Sequence, residues 1–187
     1  PARSPKSEVY NLIISDLEKA IAMLPSKSEY SNADKGRASK GAAMGALAKV
    51  YLTLGNWQKT VDYTTQLETM GYALHSDYSD NFNVNTENSI ESLFEVQYAS
   101  NGGYDFWGDQ NQASWASTFM GPRGSNFVGG GWGWNQPTQE FVNSYEAGDI
   151  RKAKSIFYTG CPQYDGKDYS ATYSLTGFNV RKFVVPL

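Results

Sequence analysis

The chain has 187 residues, of which 40% are hydrophobic and 19% charged, with a formal net charge of −3. That balance excludes electrostatic capture of nucleic acid as the main activity, and 14% aromatic residues exclude a disordered chain. A single histidine, His75, and a single cysteine, Cys161, exclude multi-His or multi-Cys zinc sites, an intrachain disulfide framework and two-cysteine redox motifs.

Residues 1–71 read as helical. Ser4-Pro5 marks the first start, with Ser as the cap and Pro in the first turn, where its missing N–H costs nothing. Val9, Leu12, Ile13, Leu17, Ala20, Ile21 and Leu24 then recur at helical spacing as one apolar stripe, until Pro25 stops it. After a Ser-rich loop, a second helix is predicted over Ser39–Leu54. Its Gly41, Ala42, Ala43, Gly45, Ala46 and Ala48 let neighbours approach closely, which places it in the middle of a bundle. Gly55 ends it, Asn56 caps a third helix over Trp57–Met70, and Gly71 ends that one.

Two antiparallel helices joined by a Gly-Asn turn are the unit of a tetratricopeptide-like repeat. Met44, Leu47, Ala48, Tyr51, Gly55 and Trp57 fit the pattern, with Tyr51 and Trp57 expected to staple the pair; Thr60 and Thr64 depart from it. One repeat cannot bury its own face, which points to further repeats elsewhere in the polypeptide.

Beyond Gly71 the pattern changes. Ile90, Ser92, Phe94, Val96 and Tyr98 alternate with Glu91, Glu95 and Gln97, which predicts a short strand. From Val96 to Gln139 only Asp105, Asp109 and Arg123 are charged, and nine of the 18 glycines lie between Gly102 and Gly133. Tyr104, Phe106, Trp107, Trp115, Phe119, Phe127, Trp132 and Trp134 share that window, which reads as an ordered segment with little regular structure. A short helix is predicted to open at Pro137 and end before Gly148, with loop and short strand to Leu187.

Most catalytic constellations fail for want of residues. His75 beside a turn is better read as a loop histidine than as a triad base. Asp105 and Asp109 flank Trp107 and offer a glycosidase-like carboxylate pair, although a Gly-rich loop fixes no separation between them. Gly124–Gly131 lacks the Lys-Ser/Thr of a phosphate loop, and Asp77–Asn88 lacks the glycine and spacing of a calcium loop, so its Asp and Asn read as turn formers. No cofactor and no metal is implied.

The charge-poor aromatic segment is the candidate site. A sugar offers an apolar C–H face that an aromatic ring matches, and a hydroxyl rim that amides, carboxylates and guanidinium groups match. Tyr104, Phe106, Trp107 and Trp115 supply candidate rings, and Gln97, Asn101, Asp105 and Arg123 a candidate rim. Trp132 and Trp134, next to Pro137, are assigned to packing.

Five blocks in order resemble the SusD/RagB glycan-binding lipoproteins of Bacteroidetes outer membranes. They are Ser4-Pro5 through Asp16-Leu17-Glu18-Lys19-Ala20 to Leu24-Pro25; Gly36-Arg37-Ala38-Ser39-Lys40-Gly41-Ala42-Ala43 leading into Ala48-Lys49-Val50-Tyr51-Leu52; and Gly71-Tyr72-Ala73-Leu74 followed by Tyr78 and Phe82. The fourth is Asn88-Ser89-Ile90-Glu91-Ser92-Leu93-Phe94-Glu95-Val96-Gln97-Tyr98. The last runs from Pro137-Thr138 through Phe141, Tyr145 and Gly148-Asp149-Ile150-Arg151 to Gly177-Phe178 and Arg181-Lys182-Phe183.

The resemblance implies a mainly α fold, a tetratricopeptide-like helical-repeat scaffold over 1–71 with an irregular, loop-rich ligand-binding lobe over 72–187, both being the central fragment of a longer SusD-like domain. It implies a non-enzymatic protein held on the outer leaflet by a lipid anchor outside this segment, capturing oligosaccharides for a TonB-dependent SusC-like transporter. No signal peptide or lipidation cysteine is visible in the segment itself. Family motifs do not fix the sugar contacts, so the site residues above rest on chemistry and position. Two other readings stay open: a cytosolic tetratricopeptide adaptor that binds a peptide, and a glycoside hydrolase using Asp105 and Asp109.

Overall fold

Helix α1 (Lys6–Met23), helix α2 (Lys40–Thr53) and helix α3 (Trp57–Thr69) form in the order the periodicity predicts, and α2 packs against both of the others. The computed structural model describes residues 3–98, 115–127 and 131–185. They group into two units: one takes the chain to Ser76 together with Glu87–Gln97, the other takes Asp77–Thr86 and the chain from Tyr98.

In the first unit the burial falls on α2. Gly41, Ala43, Met44, Leu47, Ala48 and Tyr51 are buried there, whereas α1 buries no residue and leaves Leu12 62% exposed. Ser39 caps α2 by accepting from the Ala42 N–H. Gly55 ends it at φ +74, and the Asn56 N–H returns to the Tyr51 carbonyl while the Asn56 side chain caps α3 at Lys59. Tyr51 stacks on Tyr63 of α3 at 5.8 Å and so staples the pair. Trp57 does not: it is 65% exposed in the first turn of α3, where its ring lies beside Gly55. The start of α1 also differs from expectation. Pro5 occupies the cap position with an extended ψ of 142°, and its carbonyl accepts from Glu8 and Val9, so Ser4 takes no part.

The predicted strand over 90–98 does not form. Its alternation comes from polar side chains that close loops instead of facing solvent across a sheet. Glu91 accepts the His75 N–H, Glu95 accepts the Asn88 N–H, and the Gln97 and Asn88 amides bond each other. Lys27 ties the same segment down by donating to the carbonyls of Ser89 (2.7 Å) and Ser92 (2.8 Å), and burial pushes its ammonium pKa below the usual range. The two glycines of α2 receive side chains from the segments that follow α3: Gly41 lies against the Tyr72 ring and Gly45 against Leu93. The Tyr72 hydroxyl is buried there with no hydrogen-bond partner among the described residues.

The second unit has little regular structure. Among the described residues it holds helices α4 (Ala116–Met120), α5 (Gln139–Asn143) and α6 (Arg151–Ser155), plus strands β1 (Ile156–Phe157) and β2 (Asn179–Val180), which pair antiparallel. Helix α5 lies inside the span predicted from Pro137. Helices α4 and α6 have no expectation behind them, because five residues are too few to show a 3.6-residue period. The core is a ring stack. Phe157, fully buried, lies between Phe127 (5.0 Å, 14°) and Tyr169 (5.4 Å, 7°), with Tyr164 edge-on at 5.5 Å. Cys161 and Val184 complete the cluster. Burial pushes the phenols of Tyr164 and Tyr169 up to about 12.

The Asp77–Asn88 stretch is a run of turns, as its Asp and Asn content predicts. Asp77 caps the turn Tyr78–Phe82 by accepting from Ser79, and its other oxygen meets Lys154 at 3.0 Å. These bonds, the Ser79 contacts foremost, draw the Asp77 carboxyl from 3.8 down to about 2.

Two outcomes are expected. Gly41→Ala lowers stability by about 1–3 kcal/mol, because the added methyl overlaps the Tyr72 ring, while Tyr72→Phe is neutral or stabilising because it removes a hydroxyl without a partner; chemical denaturation measures both. The folded Asp77 carboxyl holds its proton less readily than the unfolded one, so its contribution is complete above the unfolded value of 3.8 and is lost as the pH falls through about 2. Asp77→Asn therefore flattens the acid limb of a plot of melting temperature against pH.

Candidate functional site

Four rings of the second unit gather around α4. Trp115 and Phe119 stand four residues apart, one helical turn, and stack at 6.0 Å. The segment Gly131-Trp132-Gly133-Trp134 runs alongside, and its N–H groups from Trp132, Gly133 and Trp134 donate to the carbonyls of Thr118, Gly121 and Phe119 at 2.9, 2.9 and 2.8 Å. These bonds use carbonyls of the last helical turn, which otherwise lack partners. Phe119 then receives both indoles: Trp134 stacks on it at 4.8 Å and 11°, and Trp132 meets it edge-on at 5.1 Å. The two indoles are 5.3 Å apart at 72°.

Gly133 stands between the two indoles at a φ of +67, a conformation that residues other than glycine adopt at a cost. A Cβ there would also press on the Arg123 Cβ and the Gln136 amide, each at 3.3 Å. The Gln136 amide donates to the Gly133 carbonyl at 2.9 Å and accepts from Ser174 and Leu175, which fixes the segment to the following loop.

The outcome is an aromatic surface rather than a sealed core. Trp132 is 39% exposed and Trp134 54% exposed, while Trp115 and Phe119 are half-buried beneath them. Trp132 and Trp134 pack on Phe119, as their assignment to packing expects, and they also present faces to solvent. The readable signal was the Gly-Trp-Gly-Trp alternation, which places two large rings around a residue free to take a left-handed turn.

Of the residues predicted for the site, Trp115 and Arg123 lie in this cluster, Arg123 backing Gly133 between the two indoles. Gln97 belongs to the first unit, where its amide bonds Asn88 and the Glu95 carbonyl and its stem packs on Gly36. Asn101, Tyr104, Asp105, Phe106 and Trp107 lie outside the described residues, as does Asp109 of the carboxylate pair. His75 is a loop histidine whose Nε2 meets the Ser89 hydroxyl at 2.6 Å. Among the described residues no cluster of His, Cys, Asp and Glu could hold a metal ion, and no helix is long and apolar enough to cross a membrane.

Residues 2–52 match a SusD-like family described as "Starch-binding associating with outer membrane". A SusD-like protein of Bacteroides ovatus is 30% identical over 197 aligned positions, which take in 96% of this chain. The chain belongs to the SusD-like family. A laminarin-binding SusD-like protein of known structure is 26% identical, with a TM-score of 0.78 over 98% of this chain and 43% of that one. A surface glycan-binding protein A from Bacteroides thetaiotaomicron, solved with laminarihexaose, shares the fold at 22% identity, with a TM-score of 0.77 over 96% of this chain and 42% of that one. This SusD-like chain spans about a third of the length of the curated relatives it matches, 34% in the Bacteroides ovatus case. Its mainly helical fold is the SusD-like one, with the tetratricopeptide-like helices in the first unit.

Gly133→Ala is expected to abolish the circular-dichroism signal that arises from coupling of the Trp132 and Trp134 indoles. Gly124→Ala, at a similar φ of +68 but in open space, is expected to keep it.

Proposed function

We propose that this chain is the central part of a non-catalytic carbohydrate-binding protein, and that the Trp132–Trp134 surface around Phe119 is its sugar platform. The observation that carries the reading is the pair of indoles held half-exposed by α4, since soluble proteins seldom leave two adjacent tryptophans open without use. Each indole offers a flat apolar face to the C–H face of a pyranose, and the Phe119 ring and three backbone bonds hold them in place before any ligand arrives. Arg123 stands at the rim. Trp107, Tyr104 and Phe106, with Asn101 and Asp105, remain the proposed continuation of the platform and its rim.

Membership of the SusD-like family, and the laminarin bound by a relative of the same fold, support an oligosaccharide as the ligand. They also support association with the outer membrane. The finer parts of the proposal rest on the family resemblance: a lipid anchor on the outer leaflet, delivery to a TonB-dependent SusC-like transporter, and the division into a helical scaffold over 1–71 and a ligand lobe over 72–187 within one longer domain.

Calorimetry of the full-length protein with laminarihexaose and a panel of other oligosaccharides tests the reading. Trp134→Ala and Trp132→Ala are each expected to weaken glycan binding by at least about tenfold, the scale of an aromatic anchor, while the far-UV circular dichroism of the fold is kept. No release of reducing ends is expected on prolonged incubation. A Trp132→Ala/Trp134→Ala double variant that binds every glycan as tightly as the parent would remove the platform from the proposal.

A further inference from the structure

The second unit also contains a cavity of about 400 Å³ whose wall includes Phe82, Asn83, Asn85, Lys154, Arg181 and Lys182. Among the described residues, three cations and no carboxylate line it, in a protein whose net charge is −3. Overall composition therefore does not account for the concentration of positive charge.

Two of the three cations are already committed. Lys154 pairs with Asp77 at 3.0 Å. Arg181 donates to the carbonyls of Pro162 (2.6 Å) and Gln163 (3.0 Å), with its guanidinium over the Phe157 and Tyr164 rings. Lys182 is held differently. Its ammonium lies 5.1 Å from the centre of the Phe82 ring and 5.0 Å from that of Phe183, and it has neither a hydrogen bond nor an ion pair among the described residues. The two rings meet edge-on at 5.8 Å, so they grip the stem from two sides. A half-buried ammonium in this position has exchanged part of its water shell for ring faces, keeps three N–H donors, and has no counter-charge among the described residues.

The remaining wall suits a sugar. The Asn83 side-chain oxygen accepts from the Asn85 backbone and side-chain amides, at 3.0 and 3.2 Å, which leaves the Asn83 side-chain N–H groups and the Asn85 side-chain oxygen for hydroxyl groups. Val185, also on the wall, donates its N–H to the Ser117 hydroxyl at 3.1 Å. Ser117 belongs to α4, two residues before Phe119, so the cavity rim is bonded to the helix that carries the indole platform.

We infer that this cavity is a subsite for an acidic sugar, whose carboxylate or sulfate group pairs with the Lys182 ammonium. The ligand class is then an anionic oligosaccharide, one end lodged at Lys182 and the rest running onto the rings beside α4. The inference rests on the carbohydrate-binding reading and narrows it.

Calorimetry of the full-length protein at low and high salt tests it with three probes: tetragalacturonate, a sulfated galactan tetrasaccharide and neutral laminarihexaose. One acidic probe is expected to bind at least about tenfold tighter than laminarihexaose at low salt and to lose that margin as salt rises. Which acidic probe binds distinguishes carboxylate from sulfate. Lys182→Met, which keeps a stem between the rings, removes the margin; Lys182→Arg restores most of it; laminarihexaose is indifferent to both. The inference is overturned if neither acidic probe binds, if laminarihexaose binds as tightly as the acids, or if Lys182→Met leaves the acidic probe unaffected. Trp134→Ala separates this from the platform reading. If it changes no affinity while Lys182→Met weakens the acidic probe, the platform fails and the acidic subsite stands.

Discussion

The second unit depends on the stacking of Phe157 between Phe127 and Tyr169. Strands β1 and β2 are two residues each, so sheet hydrogen bonds contribute little there, and the three short helices cannot hold together alone. What remains is contact between broad flat rings, with Tyr164 closing one edge and the Arg181 guanidinium lying over the stack. A ring buries more apolar area than an aliphatic side chain and tolerates irregular backbone around it, because its contacts do not require a ladder register. This explains how the loop-rich stretch from 156 to 185 holds together around one buried ring. The same economy shapes the platform, where Phe119 does for two indoles what Phe157 does for the core.

The first unit obeys a different constraint, close approach to α2. Gly41 and Gly45 stand one turn apart on that helix and leave hollows that Tyr72 and Leu93 fill. The chain after α3 is thus pinned to the helices by the residues α2 lacks side chains to exclude. Lys27 completes the clasp from the loop after α1 by holding two carbonyls of the same segment.

What the sequence disclosed and what it hid divide along the range of the forces involved. Pro25, Gly55, Asn56 and Gly71 are local signals, decided by φ, caps and a missing N–H, and the three long helices end where these residues say. The membership in a SusD-like family was also legible, through blocks whose order spans both units. The misread strand at Ile90–Tyr98 shows the opposite case. Glu91, Glu95 and Gln97 alternate with apolar residues because each reaches a backbone or amide group elsewhere in the chain, and no local period can distinguish that from a half-exposed strand. Trp132 and Trp134 were visible as residues but not as a surface, since their exposure is set by Phe119 and by bonds to α4 that lie more than ten residues away.

The grouping of the chain carries one more implication. Residues 77–86 belong with the second unit, yet Glu87–Gln97 returns to the first before the chain leaves again at Tyr98. The polypeptide therefore passes from one unit to the other three times, and the units are discontinuous in sequence although each is continuous in space. No single cut yields either one whole: ending the chain after Ser76 deprives α2 of Leu93 and Lys27 of its carbonyls, and starting it at Asp77 carries an orphaned eleven-residue strip of the first unit inside the second. The two units of such a protein must be inherited, expressed and folded together, and recombination that swaps the second unit between relatives has to exchange two separate stretches at once.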